Sequence, residues 1–112
     1  MLAESYTAVI ARGEDWVDGS TTEPYEASWA REAVITLRTL ERGTLTEGAR
    51  AHVQVSLDGM HWVDEGTSLE IPTEVGRVSM ARLGHFGHYL RLRAEMPGDS
   101  TGFMLATLSL KA

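Results

Sequence analysis

Four histidines, His52, His61, His85 and His88, are the residues of this sequence best suited to hold a metal ion. Zinc requires three or four convergent nitrogen, oxygen or sulfur ligands. His85 and His88 stand three apart in Gly84-His85-Phe86-Gly87-His88, but no His-x-His pair or Glu-x-x-His run completes a set, and the chain contains no cysteine. Disulfides and Cys-based zinc or iron–sulfur sites are therefore excluded. We read the four as turn and surface histidines and expect no metal and no cofactor. Carboxylates are plentiful: Glu14, Asp15 and Asp18 lie around Trp16, and Asp64 and Glu65 follow a hairpin. A glycosidase needs two of them facing across a cleft, which a domain of this size rarely builds. There is no Gly-x-Ser-x-Gly elbow and no glycine-rich phosphate loop. The chemistry on offer is that of a binding surface, so we expect no enzyme.

Aromatic residues are the better candidates. Trp16, Tyr25 and Trp29 lie in a polar, mixed stretch, where large aromatics serve either as plugs over one end of a core or as anchors of a protein interface. Asp58-Gly59 separates Ala51–Leu57 from Met60–Asp64, and Asp-Gly between two β-runs is a strong hairpin signal. With a two-residue turn, Leu57 faces Met60 and Val55 faces Trp62, which gathers the apolar residues on one face and makes Trp62 a core residue. A one-residue slip would instead set Trp62 beside Ser56 or Gln54.

The elements that must position these residues are strands. Ser5–Ala11 is rich in β-formers and ends at Arg12-Gly13. Ala33, Ile35 and Leu37 alternate with Val34, Thr36 and Arg38, a half-buried strand with period two. A helix over 28–40 is the competitor, and the β-branched run Val34-Ile35-Thr36 argues against it. Ser68–Ile71 stops at Pro72, as an edge strand would. Val78, Met80 and Leu83 mark another run. Leu90, Leu92 and Ala94, then Met104, Ala106, Leu108 and Leu110, define two more apolar faces. Seven or eight short antiparallel strands with turns between them predict an all-β fold, a β-sandwich of jelly-roll-like or Ig-like topology.

The chain has 112 residues, of which 43% are hydrophobic, enough for one domain spanning residues 1–112. Residues 1–31 read as partly irregular and as a candidate interface arm. A formal charge of −6 disfavours nucleic acid, and Arg77, Arg82, Arg91 and Arg93 are too few for a phosphate footprint. No apolar run approaches the roughly 20 residues of a membrane helix, and Met1–Ser5 does not read as the start of a signal peptide.

The motif Ser56-Leu57-Asp58-Gly59-Met60-His61-Trp62 resembles the hairpin of discoidin-like, coagulation-factor C-type domains, although this chain is shorter and lacks their terminal cysteines. Residues 30–112 are more similar to small phage-encoded β-sandwich proteins. There an Asp-Gly-x-x-Trp hairpin precedes a glycine-containing bend, here Thr73–Gly76. A Tyr-Val-Arg-Val-Arg strand follows, here Tyr89–Arg93, and then a turn into a Phe-rich strand, here Ser100–Phe103. That resemblance implies a virion component assembled in the host cytoplasm: a capsid decoration, head–tail or tail protein whose partners are copies of itself or a capsid or tail protein. The alternative from another class is a carbohydrate-binding module.

Overall fold

The structure is a computed structural model that describes residues 5–112, so the reading of the first four residues lies outside it. Eight strands account for the regular structure: β1 (Ser5–Trp16), β2 (Tyr25–Glu26), β3 (Glu32–Glu41), β4 (Arg50–Ser56), β5 (Val63–Glu70), β6 (Val78–Gly84), β7 (Tyr89–Glu95) and β8 (Gly102–Lys111). They form two four-stranded sheets, β1-β8-β3-β6 and β2-β7-β4-β5, and every pairing is antiparallel. The chain path is one long hairpin folded over on itself. Strands β4 and β5 flank its tip, and moving outward β3 lies beside β6, β2 beside β7 and β1 beside β8. That order is a jelly roll, two interlocked Greek keys, and decides between the two topologies expected.

Period-two alternation builds the core between the sheets. Ala33, Ile35 and Leu37 of β3 face inward opposite Leu110, Leu108 and Ala106 of β8, so the bulky pair Ile35–Leu108 is flanked on either side by a leucine paired with an alanine. In the second sheet Ala51 and Val53 lie opposite Ala94 and Leu92. Leu45, Ile71 and Met96 bring loop residues into the same core. Close packing there has a local requirement at Gly102, where an added Cβ would stand 2.6 Å from Leu45 Cδ1. The competing helix over 28–40 does not form, because its β-branched centre pairs on both edges, with β6 and β8.

Four expectations change. β1 does not stop at Arg12-Gly13 but continues to Trp16, with Ile10 and Gly13 each bulged out of register with β8. Gly13 adopts φ 64°, with the Phe103 ring lying where a side chain would go. As a full member of the first sheet that contributes Ile10, Ala11 and Trp16 to the core, β1 is no detachable arm. Val78 and Met80 turn to solvent, leaving Leu83 as the large inward residue of β6. Finally, β4 and β5 are joined by the six residues 57–62 and not by a two-residue turn. Val55 pairs with Val63 and Gln54 with Asp64, one residue out from the register that sets Val55 against Trp62.

Candidate functional site

Strand register defines one end of the sandwich. Tyr25, Leu90, Val55 and Val63 form a row across the second sheet, while Ser5, Lys111, Glu32 and Gly84 form a row across the first. Beyond these rows lie the loops 27–31, 57–62 and 85–88. The loops are tied back by backbone bonds from Ala27 N to His88 O (2.7 Å) and from Arg31 N to Lys111 O (2.8 Å). Exposed apolar side chains gather here from segments far apart in sequence. Leu57, Met60 and Val63 are 73%, 74% and 63% exposed, and Tyr6 and Trp29 are also open to solvent.

Loop 57–62 holds its shape through Asp58. Its Oδ1 accepts hydrogen bonds from Met60 N (2.8 Å), His61 N (2.9 Å) and the Ser56 hydroxyl (3.0 Å), and its Oδ2 lies 2.6 Å from His61 Nδ1. Ser56 Oγ in turn accepts from Gly59 N at 2.8 Å and Asp58 N at 3.3 Å. Gly59 supplies the positive φ, 79°, that the bend requires. The backbone N–H and ring of His61, followed by the Met60 N–H, hold the Asp58 carboxyl far below the usual carboxylate range. The same carboxylate raises the His61 ring above its ordinary value. With its polar groups used inside the loop, the tip presents its apolar side chains outward. Leu57 and Val63, with Val55 and Gly87, line a groove of about 380 Å³ that has Asp58 and His61 at its rim.

Trp62 is not a core residue. The one-residue change of register turns it to the outer face, because side chains alternate sides along a strand. There it is half-buried, with the Arg91 guanidinium 4.2 Å from its ring centroid. Arg91 Nε donates to Gln54 Oε1 (2.8 Å), and Gln54 Nε2 donates to Asp64 Oδ1 (3.0 Å). The Gln54 amide, followed by the charge of Arg93, lowers the Asp64 carboxyl.

The three aromatics of the N-terminal stretch part company. Trp16 ends β1 opposite Gly102 and is 1% exposed, a plug of its own core, and its Nε1 has no partner among the described residues. Tyr25 is half-buried and stacks on Tyr6, with ring centroids 6.4 Å apart and planes at 19°. Burial and the neighbouring Tyr6 raise the Tyr25 hydroxyl. Together with Ser5 and Trp29 the two tyrosines line a shallow groove of about 320 Å³ where the edges of the two sheets meet. Sequence reasoning missed Tyr6, Leu57, Met60 and Val63 as surface residues. Alternation assigns Leu57 and Met60 to a strand pair, and only the side-chain bonding capacity of Ser56 and Asp58 signals a loop. The histidines remain dispersed: His52 lies 3.4 Å from Glu95 and His61 sits on Asp58. No group of three metal-ligating side chains occurs among the described residues.

No protein-family model matches this chain, and no curated protein matches it in sequence. Solved structures do share its fold. The SPBc2 prophage-derived protein YomS superposes with a TM-score of 0.65 at 6% identity, over 100% of this chain and 96% of that one. The C-terminal CBM6 of LamC, a marine laminarinase from Zobellia galactanivorans, does so with a TM-score of 0.51 at 13% identity, over 96% and 98%. At these identities the likeness is one of fold.

Proposed function

We propose that this chain is a non-enzymatic structural protein that binds and stabilises a larger protein assembly, a phage-type virion, as a capsid decoration, head–tail or tail component. The observation that supports this reading is the apolar end of the sandwich, where Leu57 and Met60 stand exposed on a loop braced by Asp58, beside the exposed Val63 at the start of β5. An exposed apolar patch with a polar rim is the mark of a protein-binding surface, and a loop ordered before contact avoids the entropic cost of ordering on binding. The prophage origin of one structural neighbour is in keeping with this setting.

Carbohydrate binding is the second reading, favoured by the Tyr6–Tyr25–Trp29 groove and by the likeness to a CBM6. Sugar recognition needs free hydrogen-bonding groups beside an open aromatic face. Among the described residues Ser5 is the one non-aromatic side chain lining that groove, the Trp62 ring is covered by Arg91, and both ends of the Gln54 amide are engaged. Protein docking therefore fits better. The test is co-sedimentation of the purified protein with the shell or tail protein encoded beside it, using wild type and the double variant Leu57→Asp/Met60→Asp. Wild type sediments with the assembly and the variant does not, while both melt at the same temperature. Failure of wild type to sediment, with retention of oligosaccharides on a glycan array, decides for the carbohydrate reading.

A further inference from the structure

The outer faces of the two sheets treat their arginines differently. On the second sheet each is engaged: Arg50 donates to Ser68 Oγ (2.9 Å), Arg91 donates to Gln54 Oε1 (2.8 Å), and Arg93 lies 3.6 Å from Asp64. On the first sheet Arg12, Arg38 and Arg82 are exposed, and none of them has an ion pair or a side-chain hydrogen bond among the described residues. Register gathers these three on one face. Met104, Ala106 and Leu108 point into the core, so Leu105 and Thr107 point out. Arg12 and Arg38 flank Leu105 in one row, which Val78 continues. The next row is Val9, Thr107, Thr36 and Met80, and the one after it ends with Val34 beside Arg82. These three rows hold no carboxylate, on a chain that carries −6. The face between the arginines is apolar, with Val9, Val78 and Met80 exposed. Its hydroxyls are spent on one another: Thr36 bonds Thr107, and Thr7 bonds Ser109 at 3.1 Å. Thr36, Arg38, Val78, Leu105 and Thr107 line a hollow of about 270 Å³.

We propose that the outer face of the β1-β8-β3-β6 sheet docks an acidic protein segment, which sets apolar side chains on Leu105, Val78 and Met80 and carboxylates on Arg12, Arg38 and Arg82. Charge complementarity selects that occupant. A guanidinium presents a planar fork of donors that matches a carboxylate, and arginines around an apolar centre are the composition of a protein interface. A second copy docked by the same face would set the three arginines against their own mates. A phosphate polymer laid along the strands would run into like charge, because Glu32 bounds the basic rows at one end and Asp15 and Glu41 bound them at the other. The rows stand about 7 Å apart, so the basic zone is too short for a nucleic-acid track. The proposal goes beyond the docking role of the 57–63 end: no residue of that loop lies on this face, and the two stand or fall by separate measurements.

The experiment is an NMR titration of the intact, isotope-labelled protein. The probe is a synthetic amphipathic helical peptide with a leucine stripe flanked by glutamates. The controls are the same peptide with glutamine in place of glutamate, polyglutamate, oligothymidylate and phosphatidylserine vesicles. The acidic peptide shifts the amide signals of β3 and β8 around Thr36 and Leu105 and binds more weakly as salt is raised, and the controls leave those signals in place. Arg12, Arg38 and Arg82 are exposed, so the triple change to glutamine melts at the wild-type temperature. It binds the acidic peptide at least about tenfold more weakly, whereas Leu57→Asp/Met60→Asp binds it as wild type does. The proposal is overturned by a peptide that shifts nothing, by shifts confined to residues 57–63, or by a triple variant that keeps full affinity. Oligothymidylate or vesicles acting equally well on the same signals overturn it in favour of a phosphate polymer or a membrane. Self-association of wild type that the triple variant abolishes overturns it in favour of a second copy.

Discussion

Asp58 and His61 make the tip of the molecule sensitive to pH, in a window set by the two shifts. The folded-state value of Asp58 is depressed, so its stabilising contribution is present above its ordinary value of 3.8 and is lost as pH falls below it. The folded-state value of His61 is raised, so its contribution is present below its ordinary value of 6.5 and is lost as pH rises through the raised one. Both act together between these limits. Asp58→Asn removes the charge, and the NMR titration of the His61 ring should then fall back toward its ordinary midpoint. An unchanged midpoint would mean that the ring and the carboxylate do not meet in solution. At this scale the sequence was legible in part. It marked Asp58 and Gly59 as turn-formers, but Ser-x-Asp bonding replaces the expected two-residue turn and carries Trp62 across the sheet.

Among the elements, β3, β7 and β8 could be read directly, because alternation specifies face and extent together, and β4 could be read as far as Ser56 but not at its end, where Leu57 leaves the strand. β1 and β5 could not. Bulges at Ile10 and Gly13, and a register shift in β5 opposite Val53, break the two-residue period that the reading relies on. Two tryptophans at the ends of these strands measure the difference. Trp16, sealed behind β1 and opposite Gly102, should cost about 3–5 kcal/mol on replacement by alanine. Trp62, on the outer face with Arg91 over its ring, should cost about 1 kcal/mol. Urea denaturation of the two variants compares them, and equal losses would restore Trp62 to the core. Leu57 and Met60 were hidden for another reason: alternation places them in a strand pair, whereas the hydrogen bonds of Ser56 and Asp58 hold them in a loop.

In the whole molecule, the sandwich class follows from the number and spacing of strands, while the jelly-roll path depends on long-range pairings that no local signal encodes. That path has a temporal consequence. The shortest closure available to the chain is β4 onto β5, and each further pairing joins segments more distant in sequence, until Ser5 meets Lys111. Loop-closure entropy and high contact order make the last of these slow. During synthesis the uncharged stretch Ser5–Ala11 of β1 leaves the ribosome before the other seven strands, yet β8, the strand it pairs with, leaves after them. Until β8 has emerged, the segment most disposed to pair with a foreign edge has no native strand partner. A chain ended at residue 101 should therefore show no cooperative melting and should collect in the insoluble fraction, and Val9→Lys should return part of it to solution. Should the shortened chain fold by itself, β1 would need some other partner within residues 1–101. Otherwise β8 is the element that turns a sticky nascent segment into a closed sandwich, and the rate at which it arrives sets how much folded product is recovered.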